Sequence, residues 1–242
     1  MENSDYQNSI KLIDYGSSLS ENNPWLSQTI IAKGIKINPF ESVAYYNLGI
    51  ALHMQKRPEA AIRAYQISLR FNGLSKLSAQ RNLAQDLLLT ENFKAGWKQY
   101  EYRFKEKEND FFKYHFGNPW IGFKKNQDIP KDLILVCEQG FGDTLQFSRF
   151  ATLLEERGIQ ITLFCQKPLI PLLKEGSQIK NITNTLSSEQ ILRNQNWCPL
   201  LSIPMRLGID DTNIPNQRSY IKASKQRIEK WKKLLSRRKN YK

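Results

Sequence analysis

No run in this chain approaches the ~18 consecutive apolar residues that a membrane-spanning helix needs, which argues against an integral membrane protein of the helical kind. Cysteine is scarce. Cys137, Cys165 and Cys198 are odd in number and widely spaced, which fits neither a disulfide framework nor a zinc site and suits a reducing cytosol. The two histidines, His53 and His115, have no second ligand near them in sequence, so no metal role is expected of either. The opening stretch, MENSDYQNSIKLIDYG, is polar and lacks the basic start and apolar run of a secretory leader.

What is present can build a core. Hydrophobic residues make up 40% and aromatics 11% of 242 residues, enough to exclude wholesale disorder and to favour two domains. The formal charge of +13 is uneven: from Arg218 to Lys242 eleven Lys or Arg face the single acid Glu229, so that segment holds +10 of it. A basic pI near 9.6 therefore describes a tail and not a body. In that tail Ile228, Trp231, Leu234 and Leu235 fall on one helical face with Lys and Arg around them. The stripe can pack on the preceding domain, or attach to an anionic membrane surface or to nucleic acid. Lipid suits it better than nucleic acid, because one Trp and three aliphatics make a poor base-stacking platform.

The N-terminal half repeats itself. AYYNLGIALHMQKRPEAAIRAYQISLRFNG (44–73) reads as two amphipathic helices, with Pro58 opening the second and Gly73 supplying a left-handed residue to close it. Thirty-five residues on, Leu83, Ala84, Leu87, Gly96 and Tyr100 fall where Leu48, Gly49, Leu52, Ala61 and Tyr65 stood. Small residues at Gly49/Ala84 and Ala61/Gly96 let helices approach closely. Tyr45, Leu48, Gly49, Ala61 and Tyr65, with Asn38-Pro39 ending a preceding unit, resemble the tetratricopeptide repeat. Earlier helices around Ile10–Tyr15 and Trp25–Ile35 depart from that pattern. Residues 5–112 are thus expected to form a short helical solenoid. The resemblance implies a concave face lined by Tyr46, Ile50, His53, Arg81 and Gln85 that takes a protein partner. So few repeats can also serve only to buttress the next domain.

After Pro119-Trp120 the period changes. Leu133–Cys137 and Ile161–Cys165 are short apolar runs typical of buried parallel strands, and the pattern Leu145, Phe147, Phe150, Leu153, Leu154 between them is helical, closed by Gly158. Pro168 opens another short helix. Strand, helix, strand, helix makes a parallel βαβ unit with Cys137 and Cys165 as small strand residues. At the carboxyl end of the first strand stands Glu138-Gln139-Gly140-Phe141-Gly142-Asp143, the place where such sheets gather ligands. Leu145 occupies the third glycine of a dinucleotide fingerprint, Cys165-Gln166-Lys167 offers no acid after the second strand, and no Gly-Lys-Ser/Thr exists, so NAD and P-loop chemistry are disfavoured. Asp143 remains, an acid at a helix N-terminus whose dipole favours a carboxylate able to accept a hydroxyl proton. It can equally be a simple cap.

EQGFGDTLQFSRFATLLEERG, preceded by Pro119-Trp120-Ile121-Gly122 and followed by WCPLLSIPMRLG (197–208), resembles the heptosyltransferase-like glycosyltransferases that carry tetratricopeptide repeats in front. GWKQYEYRF (96–104) is similar to that family's junction, and the resemblance spans about residues 40–222. It implies the N-terminal, acceptor-side half of a GT-B fold: one Rossmann-like parallel α/β domain over 113–222, then a basic amphipathic helix over 223–242. By it Asp143 would be the general base of an inverting, nucleotide-sugar-dependent transfer, with Gly140, Phe141, Gly142, Thr144 and Gln146 around the acceptor and neither metal nor cofactor. A second α/β domain to hold the donor is expected and is not in this sequence. Without it the proximity contribution, about 7–11 kcal/mol, is lost. The sequence thus points to an acceptor half that is inactive alone, either a degenerate remnant or one that needs a separately encoded donor domain. The alternative is a non-enzymatic tetratricopeptide interaction module. Either would be cytoplasmic, with the tail a candidate contact at the inner face of the membrane and nucleic acid disfavoured.

Overall fold

The computed structural model describes residues 3–71, 73, 75–105, 118–123, 130–185, 196–216 and 219–236. His115 and the boundary at 112–113 lie outside the described residues. The chain divides into two compact units, one of Met1–Asp110 with Ile209–Thr212, the other of Phe111–Gly208 with Asn213–Lys242.

Among the described residues the α-helices of the first unit are α1 (Asn3–Ser18), α2 (Pro24–Ile37), α3 (Ser42–Met54), α4 (Pro58–Ser68), α5 (Lys76–Leu89) and α6 (Phe93–Tyr100). Their boundaries follow local chemistry. Asn23 accepts from Leu26 N–H at 3.2 Å ahead of α2, and Pro24 and Pro58 sit in first turns where a missing N–H costs nothing. Each helix packs on its sequence neighbour, and α1 also meets α3, and α3 meets α5. That is the nearest-neighbour pattern of a helical solenoid. Leu52, Ala61, Ala64, Tyr65, Leu83 and Leu87 form the main core. Ile13, Ile31 and Ala44 form another beneath α1, α2 and α3.

The thirty-five-residue period recurs in the backbone. Lys56 and Glu91 both adopt φ +61°, and each turn closes alike: Arg57 N–H donates to Leu52 O at 3.1 Å, and Asn92 N–H to Leu87 O at 2.8 Å. This is a Schellman closure whose left-handed position normally falls to glycine. A β-carbon there costs on the order of 1 kcal/mol. Lys56→Gly and Glu91→Gly should therefore each raise the unfolding free energy by up to about 1 kcal/mol in urea titrations. A loss in both would mean the side chains make contacts that outweigh the strain.

Gly73 behaves differently from expectation. Its φ lies outside the left-handed region, and α4 ends in a tight right-handed turn through Leu69, with Arg70 and Phe71 N–H bonding Ile67 and Ser68 carbonyls. Glycine is required there by space, since a Cβ would lie 2.7 Å from Ser42 Cβ. Ser42 is already engaged: its hydroxyl donates to Ser68 O at 3.2 Å, and the Ser68 hydroxyl donates to Ser42 O at 2.9 Å.

The second unit is a parallel sheet with helices. Its strands are β1 (Asn118–Pro119), β2 (Asp132–Val136), β3 (Gln160–Phe164), β4 (Asn181–Thr183) and β5 (Asn196–Pro199), in spatial order β1-β5-β2-β3-β4, and every pairing is parallel. α7 (Phe141–Glu156) crosses from β2 to β3, and α8 (Ile170–Gly176) from β3 to β4. Leu133, Ile134, Leu135 and Val136 are all buried, as a strand covered on both faces must be. Gly158 takes φ +85° just past α7. The βαβ pattern legible in sequence accounts for β2, α7, β3 and α8. β1, β4 and β5 were not legible, because each is short and β5 lies beside a strand 63 residues earlier (Leu133 pairs with Asn196).

The basic segment forms a helix over Lys225–Ser236 with no buried residue. Packing of its apolar stripe on the domain before it does not occur: Trp231 is 60% and Leu235 63% exposed.

Candidate functional site

Two groups of side chains emerge, one in each unit. On the helical unit Tyr46, Ile50 and His53 follow one another at turn spacing along α3, and Arg81 and Gln85 do so along α5. Tyr46 and Ile50 are half-buried against the core around Tyr65, with the Tyr46 and Tyr65 rings 6.2 Å apart. Arg81 and Gln85 are exposed.

A partner for His53 went unnoticed in the sequence. His53 Nδ1 lies 2.6 Å from Asp86 Oδ1, joining α3 to α5. Asp86 is wholly buried, and its Oδ2 has no hydrogen-bond partner among the described residues. Burial raises the Asp86 carboxyl above its ordinary range, a rise opposed by the His53 hydrogen bond and charge and increased by Glu59. Burial and the Asp86 charge likewise push the Tyr65 phenol far up, which keeps it neutral. The signal was available: Asp86 stands where the preceding repeat has Ala51, an acid in an apolar register. A buried carboxylate clamped by a half-exposed imidazole ties α3 to α5 and stiffens this face.

On the sheet, β2 continues outward to α7 on one side, while β5 returns on the other. Between β2 and β5 the strand order reverses, the position at which open parallel sheets commonly take ligands. Glu138, directly past β2, accepts from Leu201 N–H, directly past β5, at 3.3 Å and so bridges that reversal. Gly140 is the N-cap of α7, and Phe141 and Gly142 are exposed in its first turn. A Cβ at Gly142 would meet nothing within 4 Å. Asp143 is half-buried, its Oδ2 folded back toward Gly140. Gln146 is exposed one turn on, but Thr144 is buried.

Thr144 donates its hydroxyl to Gln166 Oε1 at 3.0 Å, and Gln166 Nε2 donates to Gln139 O at 2.6 Å. The end of β3 thus pins the turn that carries Gly140 to Asp143. Both thiols near this turn are raised by burial, Cys137 strongly and Cys165 to about 11. Neither is a thiolate nucleophile at neutral pH. Among the described residues no group of three His, Cys, Asp or Glu is arranged to hold a metal ion, and no helix is long and apolar enough to cross a membrane.

The structure therefore gathers Gly140, Phe141, Gly142, Asp143, Thr144 and Gln146 beyond the carboxyl end of the central strand β2, and Tyr46, Ile50, His53, Arg81 and Gln85 on the adjoining helices α3 and α5. A family model described as tetratricopeptide repeat matches residues 31–63, from within α2 to within α4. None of the curated proteins matches the chain. Repeats of this kind generally mediate protein–protein interaction, and the helical unit has the matching architecture.

Proposed function

We propose that this protein is an interaction module whose tetratricopeptide face, built on Tyr46, Ile50, His53, Arg81 and Gln85, holds a segment of a protein partner. The observation that carries the reading is the repeat match over 31–63 together with a half-buried aromatic and aliphatic stripe beside exposed polar residues. Anchoring aromatic and Arg side chains at the centre of a face contribute most of the binding energy in such surfaces. In a titration against a partner recovered by affinity capture, Tyr46→Ala and Arg81→Ala should each weaken binding tenfold or more, with Asp143→Asn harmless. Equal binding by all three variants would place the interaction elsewhere.

A second reading is favoured by one feature of the α/β unit. Asp143 stands half-exposed in a glycine turn next to the strand-order reversal, with open space at Gly142. In this reading the chain is the acceptor half of a GT-B-type, heptosyltransferase-like glycosyltransferase. Asp143 would take the proton of an acceptor hydroxyl as its oxygen attacks the sugar carbon and the nucleotide diphosphate leaves with inversion. Gly140, Phe141, Gly142 and Gln146 would border the acceptor, and Thr144 would hold the turn. Sugar transfer should then need a separate donor-binding chain and vanish in Asp143→Asn. Turnover by this chain alone would exclude a split enzyme.

A further inference from the structure

The helix Lys225–Ser236 has an apolar face that its own unit leaves uncovered. Ile228, Trp231, Leu234 and Leu235 are 42–63% exposed and span an arc of about 120° at 3.6 residues per turn. Lys232 and Lys225 flank that arc on one side and Lys230 on the other, Lys233 lies behind, and Arg227 falls within the arc only at the first turn, where Glu175 holds it. Glu229 is the one acid of the helix, and Lys232 Nζ neutralises it at 2.8 Å. Arg237, Arg238, Lys239 and Lys242 continue the charge in sequence but lie outside the described residues.

The root of this helix is fixed. Arg227 donates through Nε and Nη2 to both Glu175 oxygens at 2.5 and 2.8 Å, and the Ser224 hydroxyl donates to the same carboxylate at 3.1 Å. Lys222 N–H adds a bond to Gly176 O at 2.8 Å. Anchoring is thus made through polar atoms in the first turn, and the stripe takes no part in it.

We propose that this helix lies on an anionic lipid surface, with Trp231, Leu234, Leu235 and Ile228 in the boundary between headgroups and acyl chains. Two independent features choose lipid. The cationic residues match a negatively charged surface, and lysines on both borders can bury their stems while their ammonium groups stay among headgroups. A phosphate backbone would satisfy the charges but leave three aliphatic side chains in water, so nucleic acid accounts for only half of the helix. The proposal stands apart from the helical binding face and would survive its failure.

The test uses the full chain with sedimenting phosphatidylcholine vesicles, with and without phosphatidylglycerol. Binding should be at least tenfold stronger with phosphatidylglycerol, and removal of the lysine charge in Lys230→Gln should lower it about fivefold. Leu235→Glu and Trp231→Ser should each lower it at least tenfold. Because the stripe is unburied, the thermal midpoints of these variants should equal that of the parent. The difference in emission between parent and Trp231→Phe should shift to the blue on vesicles. Failure to bind, or binding indifferent to Leu235→Glu, would overturn the proposal. So would release from the vesicles by single-stranded RNA at equimolar charge.

Discussion

Replacing Gly49 by valine should unfold the helical unit at ambient temperature, or lower its unfolding free energy by more than about 3 kcal/mol, at the upper end of what overpacking costs. Even one added carbon has nowhere to go. A Cβ at this position would overlap Tyr65 Cε1 and lie 2.6 and 2.8 Å from Cδ1 and Cζ of the same ring. Tyr65 cannot swing aside, since it is only 1% exposed and is packed among Leu52, Ala61, Ala64, Leu83 and Leu87. The ring and the missing side chain are two halves of one contact between α3 and α4. Tyr65→Leu in the Gly49→Ala background should therefore restore part of the loss, although Tyr65→Leu alone destabilises. Urea unfolding of the four-member cycle measures this. Strict additivity would show that the two positions are not in contact.

The His53–Asp86 pair should be lopsided: His53→Ala will cost about 3 kcal/mol near neutral pH, and Asp86→Asn much less. Removing the imidazole strands a fully buried carboxylate, the costly way to break such a pair. Removing the charge from Asp86 leaves a half-exposed histidine that water can serve. The pH dependence follows from the sign of the shift. The folded state holds the Asp86 proton more tightly than the unfolded state, because burial raises its pKa. That contribution to stability is complete below the ordinary aspartate range and is lost as pH rises through the raised value. Loss of His53 takes away the groups opposing the rise, so the His53→Ala penalty should be small in acid and grow toward neutrality. Denaturation at a series of pH values reads both slopes. A penalty independent of pH would mean that Asp86 is not ionised beside His53.

The pair also marks the border between what could be read in one dimension and what could not. The residues of the proposed face were implied by the resemblance to tetratricopeptide repeats, and they stand on α3 and α5. Asp86 escaped because its partner is 33 positions away, and spacing arguments within a helix reach only three or four. Gly73 was read as a left-handed cap because its type allows one. Its real requirement, room for Ser42, comes from the start of α3, far outside the turn. Gly140 to Asp143 were correctly expected after a buried strand, whereas the meeting of Glu138 with Leu201 depends on β5 returning past β2.

By itself the sequence determined the local periods: two helical registers thirty-five residues apart, apolar runs that must be buried strands, and a basic stripe of one-sided character. Each is a property of consecutive residues, whose side-chain directions follow from 3.6 or 2 residues per repeat. Only the tertiary structure decided which polar groups were taken out of water, on which side of β2 the last strand inserts, and that the stripe on Lys225–Ser236 stays uncovered. Those outcomes depend on pairings between distant segments, where a burial cost on one element is offset by an atom on another, and no window of neighbouring residues contains both.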